Sequence, residues 1–306
     1  MQNLLTIAIP TYNDADTVAD TLMSLVHQLR PIESVLVVDD ASCDETLAVV
    51  RSFEDRLPIR ILRNDLNLGL VGNWNRCLAE CTSKFIWILH SDDWLHPGAL
   101  DVLQESLASF DGGSIYVGAK FLDSPVSQDA LAWGAGRFEA KWAVMPAGCA
   151  AMNAALSYVC SGVIVARGAY QDVGGFSHRF PYSPDEELWL RISKRHSALD
   201  CDGSGLVGVR KTGAHHMHDT WRRSDFRERW WDLHDELLAK ASDAEPIEGR
   251  SALRAAIETK REATWSMIEK FLSASSRAGR ATRGAPGLLR WAGARLLSLA
   301  RNRLRS

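Results

Sequence analysis

The chain has 306 residues, of which 46% are apolar and 24% charged, with a formal net charge of −3. That is the make-up of an ordinary globular protein, long enough for one large domain or two modest ones. No stretch approaches the roughly 18 apolar residues that a membrane-spanning helix needs.

The first hundred residues alternate two patterns. Residues 4–9 (LLTIAI) form a short apolar run, and Val18, Leu22, Leu25, Val26 and Leu29 then recur at helical spacing behind Asn13 or Asp14 as cap. Residues 34–39 (SVLVVD) predict a second strand, and a second helix follows with Ser42 or Asp44 as cap. Residues 59–62 predict a third strand, residues 72–81 a short helix, and residues 84–89 (KFIWIL) a fourth strand. The strands are continuously apolar, so both faces of a parallel sheet should be covered. The expected class is α/β, a doubly wound sheet with helices on both faces.

Beyond residue 111 the pattern loosens. Residues 111–123 hold a strand, and residues 123–150 read as loop. Residues 158–176 hold another apolar strand followed by a turn. Residues 183–195 open a helix on acidic residues, and the chain beyond 220 is mostly helical, with loops near 241–250 and 273–287. The six cysteines form no CxxC pair, and Cys77 and Cys81 sit one helical turn apart as packing residues. A reduced, intracellular protein is expected. The N-terminus has no basic segment ahead of its apolar run, so no signal peptide is expected.

In such sheets ligands bind beyond the carboxyl ends of the strands. Each predicted strand delivers polar residues there: PTYND after the first, Asp39-Asp40 after the second, RNDLNLG after the third, HSDDW after the fourth. Asp92 and Asp93 together are costly unless a cation compensates, and a hard divalent ion is the natural partner. Capping of the helix near Pro97 is the competing explanation. A helix cap is also the plain reading of Asp39-Asp40, but Ser42 and Asp44 serve that purpose, which leaves the pair free to meet a base or a ribose.

Three segments, TIAIPTYNDADTVADTLMSL, VLVVDDASCDET and NLGLVGNWNRCLAECTSKFIWILHSDDWL, resemble in order and spacing the nucleotide-binding half of family 2 glycosyltransferases over about 100 residues. GVIVARGAYQDVGGFSHRFPYSPDEELWLRIS resembles the acceptor segment of that family, less tightly. The resemblance implies a GT-A fold and an inverting transfer of sugar from a nucleotide-sugar, a UDP-sugar first among them, with Mg²⁺ or Mn²⁺ as cofactor. It implies that Pro10, Thr11 and Tyr12 line the base, that Asp40 holds its edge, and that Asp14 shapes the pocket. Asn67 and Asn75 would lie near the donor. Ser91, Asp92 and Asp93 match the DxD motif with Ser for the first Asp, so Asp93 would bind the metal and Asp92 would face the ribose or diphosphate. Asp185 would be the general base, with Pro184 where the family has Glu and with Glu186 or Glu187 as substitutes; alone, these acids read as a helix N-terminus. The run holding His215, His216 and His218 departs from the Arg-x-His spacing of the family; His216, or His218 in its place, would reach the metal, and a separate zinc site lacks a fourth ligand at recognised spacing. GSGLVG at 203–208 fits a dinucleotide fingerprint only formally, since a strand and not a helix follows.

Charge is unevenly spread. Residues 247–306 hold 13 basic and 4 acidic residues, a net of +9, which leaves −12 on residues 1–246. Leucines and arginines interleave over 287–306, as in a helix lying on an anionic membrane surface. Docking on the acidic body is the plain alternative, and no nucleic-acid module accompanies the tail. The expected organisation is a transferase domain over 1–230, divided at 110 into donor and acceptor halves, and a helical extension over 231–306. The expected role is synthesis of a surface polysaccharide or lipid-linked glycan, in the cytoplasm on the inner membrane face. A nucleotidyltransferase, or a non-catalytic protein binding sugar nucleotides or membrane, is the alternative.

Overall fold

Parallel strands laid edge to edge form the frame. The computed structural model describes residues 3–136, 140–156, 158–181, 183–202, 205–210, 225–243 and 246–278. Its strands are β1 (Leu5–Thr11), β2 (Val35–Asp39), β3 (Ile59–Arg63), β4 (Phe85–Ile88), β5 (Trp94–Leu95), β6 (Ser114–Tyr116), β7 (Ala119–Leu122), β8 (Lys141–Met145), β9 (Val163–Ala166), β10 (Ala198–Asp202) and β11 (Val207–Arg210). Its helices are α1 (Val18–Val26), α2 (Thr46–Arg51), α3 (Gly69–Glu80), α4 (Ala99–Ser109), α5 (Gln128–Gly134), α6 (Cys149–Ala155), α7 (Arg167–Val173), α8 (Pro184–Arg195), α9 (Phe226–Ser242) and α10 (Arg250–Ala278).

Eight strands make one mixed sheet in the order β3-β2-β1-β4-β9-β6-β10-β8. The first four are parallel, and β9 runs antiparallel to both β4 and β6. A small second sheet holds β5, β11 and β7. The apolar runs follow from this layering. Ile7, Ile9, Val35, Val37, Phe85 and Trp87 pack on the side of α1, α2 and α4, while Ala8, Leu36, Val38, Ile86 and Ile88 pack on the side of α3, α6 and α8. A strand buried on both faces gains nothing from polar alternation. Contacts divide the chain into two units, residues 1–260 and 261–306.

Several local expectations change. Helix α1 stops at Val26, and Leu29 is 74% exposed. Neither Asn13 nor Asp14 caps it by side chain; the Asp14 carbonyl receives Thr17 and Val18 instead. Asp44 does hold the Thr46 amide at the start of α2, whereas Ser42 turns to Asp39. Residues 123–150, expected as loop, carry α5, β8 and the start of α6. The turn expected after the strand near 163 is the helix α7, and α10 runs through to 278 where a loop was expected from 273. For β8 the reason is its pairing with β10, which local propensity does not encode.

Candidate active site

The carboxyl ends of β1, β2 and β4 place three acidic turns side by side. Pro10 and Thr11 close β1 and are buried, while Tyr12 is 39% exposed at the edge. The Asp14 carboxylate accepts the Tyr12 amide and, at 2.6 Å, the hydroxyl of Ser91, so the turn after β1 is tied to the turn after β4. Asn13 and Ala41 hold φ of 56° and 61°, left-handed conformations that L residues adopt at a cost.

Asp39 and Asp40 are buried and enclosed by donors. Asp39 accepts from Thr11 and from the Ser42 amide and hydroxyl, and it faces the Arg63 guanidinium at 3.5 Å. Asp40 accepts from Asn64 Nδ2 and the Leu68 amide on one oxygen and from the Gly69 amide on the other. Asp40, expected at the base edge, thus also caps the N-terminus of α3. Asn67 adds to that cap, its Oδ1 accepting the Gly69 amide.

Asp92 and Asp93 stand differently. His90, Asp92 and Asp93 offer three ligand atoms within 4.8 Å of one another. Asp93 is buried; its carboxylate accepts the Ser161 hydroxyl at 2.6 Å and the Arg210 amide at 3.3 Å, and lies 3.6 Å from His90 Nδ1. Burial pushes the Asp93 carboxyl up to about 6, with His90 pulling it down and Asp92 pushing it further up. Among the described residues no hydrogen-bond donor reaches the Asp92 carboxylate. Two carboxylates and an imidazole suit Mn²⁺ well, and Mg²⁺ through the oxygens.

His90 and Ser161 are the site residues that sequence reasoning missed. His90 opens the HSDDW run, directly ahead of Ser91, Asp92 and Asp93. Ser161 carried no signal, since it lies 68 residues away in the turn before β9; there its hydroxyl holds Asp93 and receives the His90 amide. Ser91, expected within the DxD set, spends its hydroxyl on Asp14. Arg210 closes the edge: its Nε donates to the Asp92 carbonyl, its Nη2 to Asp20, and its guanidinium lies over Trp94.

A chain of rings runs from this edge to α8. His90 stacks on Trp74 at 5.2 Å, Trp74 meets Phe176 at 5.1 Å, and Phe176 meets Trp189 at 5.8 Å. Asn75, expected near the donor, turns its amide to the Phe176 backbone, donating to the carbonyl and accepting from the amide. The GGF turn follows from this clamp. Gly174 has φ of 84°, and a Cβ at Gly175 would come within 2.3 Å of Asn75 Oδ1. Arg191 holds the turn from the other side, donating to the carbonyls of Val173, Gly174 and Gly175 and to Glu187.

Asp185 lies in the first turn of α8. Burial holds its carboxyl above the usual range, and the adjacent Glu186 raises it further, while Lys260 and His90 oppose the shift. The buried Cys160 thiol senses both Asp185 and Asp93, which puts the two acids in one neighbourhood. A cavity of about 470 Å³ lined by Arg179, Phe180, Arg229, Asp232, Asp235 and Glu236 lies by the turn leading into α8, away from the strand edge. His215, His216 and His218 and the tail 287–306 lie outside the described residues. Gly208, in the formal dinucleotide fingerprint, sits within β11 against Trp94.

With this geometry in place, comparison with known proteins gives consistent results. The family described as Glycosyl transferase family 2 matches residues 6–130. The chain is 30% identical over 205 residues to an uncharacterized protein, MT1568, of Mycobacterium tuberculosis, covering 63% of this chain and 62% of that one. It is 30% identical over 108 residues to the poly(ribitol-phosphate) beta-N-acetylglucosaminyltransferase TarS of Staphylococcus aureus, covering 34% of this chain and 18% of TarS. The chain thus spans less than two thirds of these curated relatives. In structure it resembles TarS 1–349 in complex with UDP-GlcNAc, with a TM-score of 0.65 at 18% identity over 86% of this chain and 73% of the other. It also resembles a mannosyltransferase of Pyrobaculum calidifontis in complex with GDP-Man and Mn²⁺, with a TM-score of 0.61 at 17% identity over 98% and 81%. These likenesses establish the GT-A fold. Among the described residues no helix is long and apolar enough to cross a membrane.

Proposed function

We propose, from the premise that residues 6–130 belong to glycosyl transferase family 2 and that the fold is GT-A, that the protein is an inverting, metal-dependent glycosyltransferase. The observation that carries this reading is the cluster of His90, Asp92 and Asp93 at the strand edge, with Asp185 in the same neighbourhood. The donor is a nucleotide-sugar, its base against Tyr12 and the β1 end and its diphosphate toward Asp92. The donors seen with the structural neighbours, UDP-GlcNAc and GDP-Man, support that class.

A divalent ion, Mn²⁺ or Mg²⁺, would be held by Asp93 with His90 and Asp92, and would stabilise charge on the leaving diphosphate. The chain's own residues do the rest. Asp185 accepts the proton of the acceptor hydroxyl as that oxygen bonds to the anomeric carbon and the carbon–diphosphate bond breaks. Its raised carboxyl suits a base that must take a proton in the transition state. Glu187 has its two oxygens bound by Arg191, and Glu186 is ion-paired with Lys260 at 3.3 Å, which favours Asp185 for the task. The acceptor is a glycan or lipid-linked sugar of a surface polymer; the poly(ribitol-phosphate) in the name of TarS supports a polymeric acceptor. Peripheral binding at the inner face of the membrane through 287–306 belongs to the same proposal, as does the division into a domain over 1–230 and an extension over 231–306.

Thermal melting of the purified protein with UDP-, GDP-, dTDP- and CMP-sugars, with and without Mn²⁺, tests the reading. Stabilisation by one nucleotide class in the presence of Mn²⁺ supports it, since a ligand that binds only the native state raises its apparent stability. Absence of any shift, together with absence of metal-stimulated donor hydrolysis, would overturn it.

A further inference from the structure

Asp185 has an acidic neighbour, and the chain supplies that neighbour with a cation from far along the sequence. Glu186 Oε1 lies 3.3 Å from Lys260 Nζ, on α10, and 3.9 Å from His234 Nε2, on α9. The Glu186 side chain is only 11% exposed. Lys260 is held in place from a second direction, for its ammonium donates to the Leu156 carbonyl at 2.6 Å. His234 is buried, rests against Trp230 with centroids 4.0 Å apart, and has Nδ1 2.9 Å from the Trp230 carbonyl, which fixes that nitrogen as the protonated one.

We propose that Lys260 is a positioning residue for the transfer reaction: its ammonium binds Glu186 and turns that charge away, so that the neighbouring Asp185 stands ionised toward the acceptor. The inference rests on the assignment of Asp185 as base. Two adjacent carboxylates at one helix start repel each other, and a fixed ammonium is the means of holding one of them. The carbonyl of Leu156 gives the ammonium a second anchor, so its position follows the fold and does not depend on Glu186 alone.

Four variants test it, with kcat and donor KM measured in the full chain. Lys260→Met is expected to lower kcat about ten-fold or more with donor KM unchanged. Lys260→Arg is expected to retain most activity. Glu186→Gln placed in the Lys260→Met background is expected to recover kcat to within about three-fold of the native enzyme, because no charge then needs holding. Native kcat in Lys260→Met, or a loss that Glu186→Gln does not recover, would overturn the inference. Should Lys260→Met fail to fold, Glu186→Gln alone decides: a large loss of kcat in that variant overturns the inference. Asp185→Asn, measured in parallel, separates the two readings. If Asp185→Asn is inactive while Lys260→Met is native-like, only the role of Lys260 fails. If Asp185→Asn is fully active, the base assignment fails first.

Discussion

Two Asp-Asp pairs end neighbouring parts of one sheet, Asp39-Asp40 after β2 and Asp92-Asp93 after β4, and they have opposite fates. The first pair is surrounded by the protein's own donors: two hydroxyls, three amides, a carboxamide and a guanidinium. The second receives one hydroxyl and one amide on Asp93, with the His90 imidazole 3.6 Å away, and, among the described residues, no donor on Asp92. The same dipeptide therefore serves architecture in one place and leaves unmet negative charge in the other. Unmet negative charge is what recruits a cation, and donor satisfaction, which a dipeptide does not encode, is what separates the two.

Substitutions can break or sharpen that contrast. The largest effect is expected from Asp93→Ala, which should reduce transfer below detection while circular dichroism stays native; substantial turnover would remove Asp93 from the metal site. Asp185→Asn should lower kcat by about 10²–10⁴-fold with donor binding intact, the usual scale for a lost general base, as read by kcat against the donor dissociation constant. Asp40→Ala should act on stability, because three donors lose their partner at once; a loss of about 3 kcal/mol is expected in urea melts. Asp92→Ala should leave stability within about 0.5 kcal/mol, and equal losses for the two variants would erase the distinction between the pairs.

A further effect concerns pH. The Asp93 carboxyl, at about 6 in the fold against 3.8 for an ordinary Asp, binds more protons in the folded state. Stability contributed by this group is therefore lost as pH rises from about 4 through 6. In metal-free buffer Asp93→Asn should be more stable than the native protein at pH 7.5, by at most about 3 kcal/mol. That advantage should fade as pH falls below 6, and melting curves in EDTA at pH 5 and 7.5 check it.

The donor half was legible because its signals are local: continuous apolar strands, each ending in polar residues within a few positions. The four parallel strands and the acidic edge follow from that pattern. The second half was not, because its elements are joined by pairs distant in sequence. Asn75 meets Phe176, Ser161 meets Asp93, and Arg191 fixes a glycine turn 16 residues upstream, and none of these has a periodicity to read. The loop expected over 123–150 became α5, β8 and the start of α6 because β8 pairs with β10, more than 50 residues later. His90 is instructive: the motif pattern marks only its neighbours, while its imidazole joins Asp92 and Asp93 in space.

The stacking of His90 on Trp74 gives the protein a built-in optical gauge. An imidazole that gives its free nitrogen to a metal changes the surroundings of the indole stacked on its face, 5.2 Å away. Occupancy of the acidic edge should thus be readable as a change in Trp74 emission, and Trp74→Phe should silence that component of the signal.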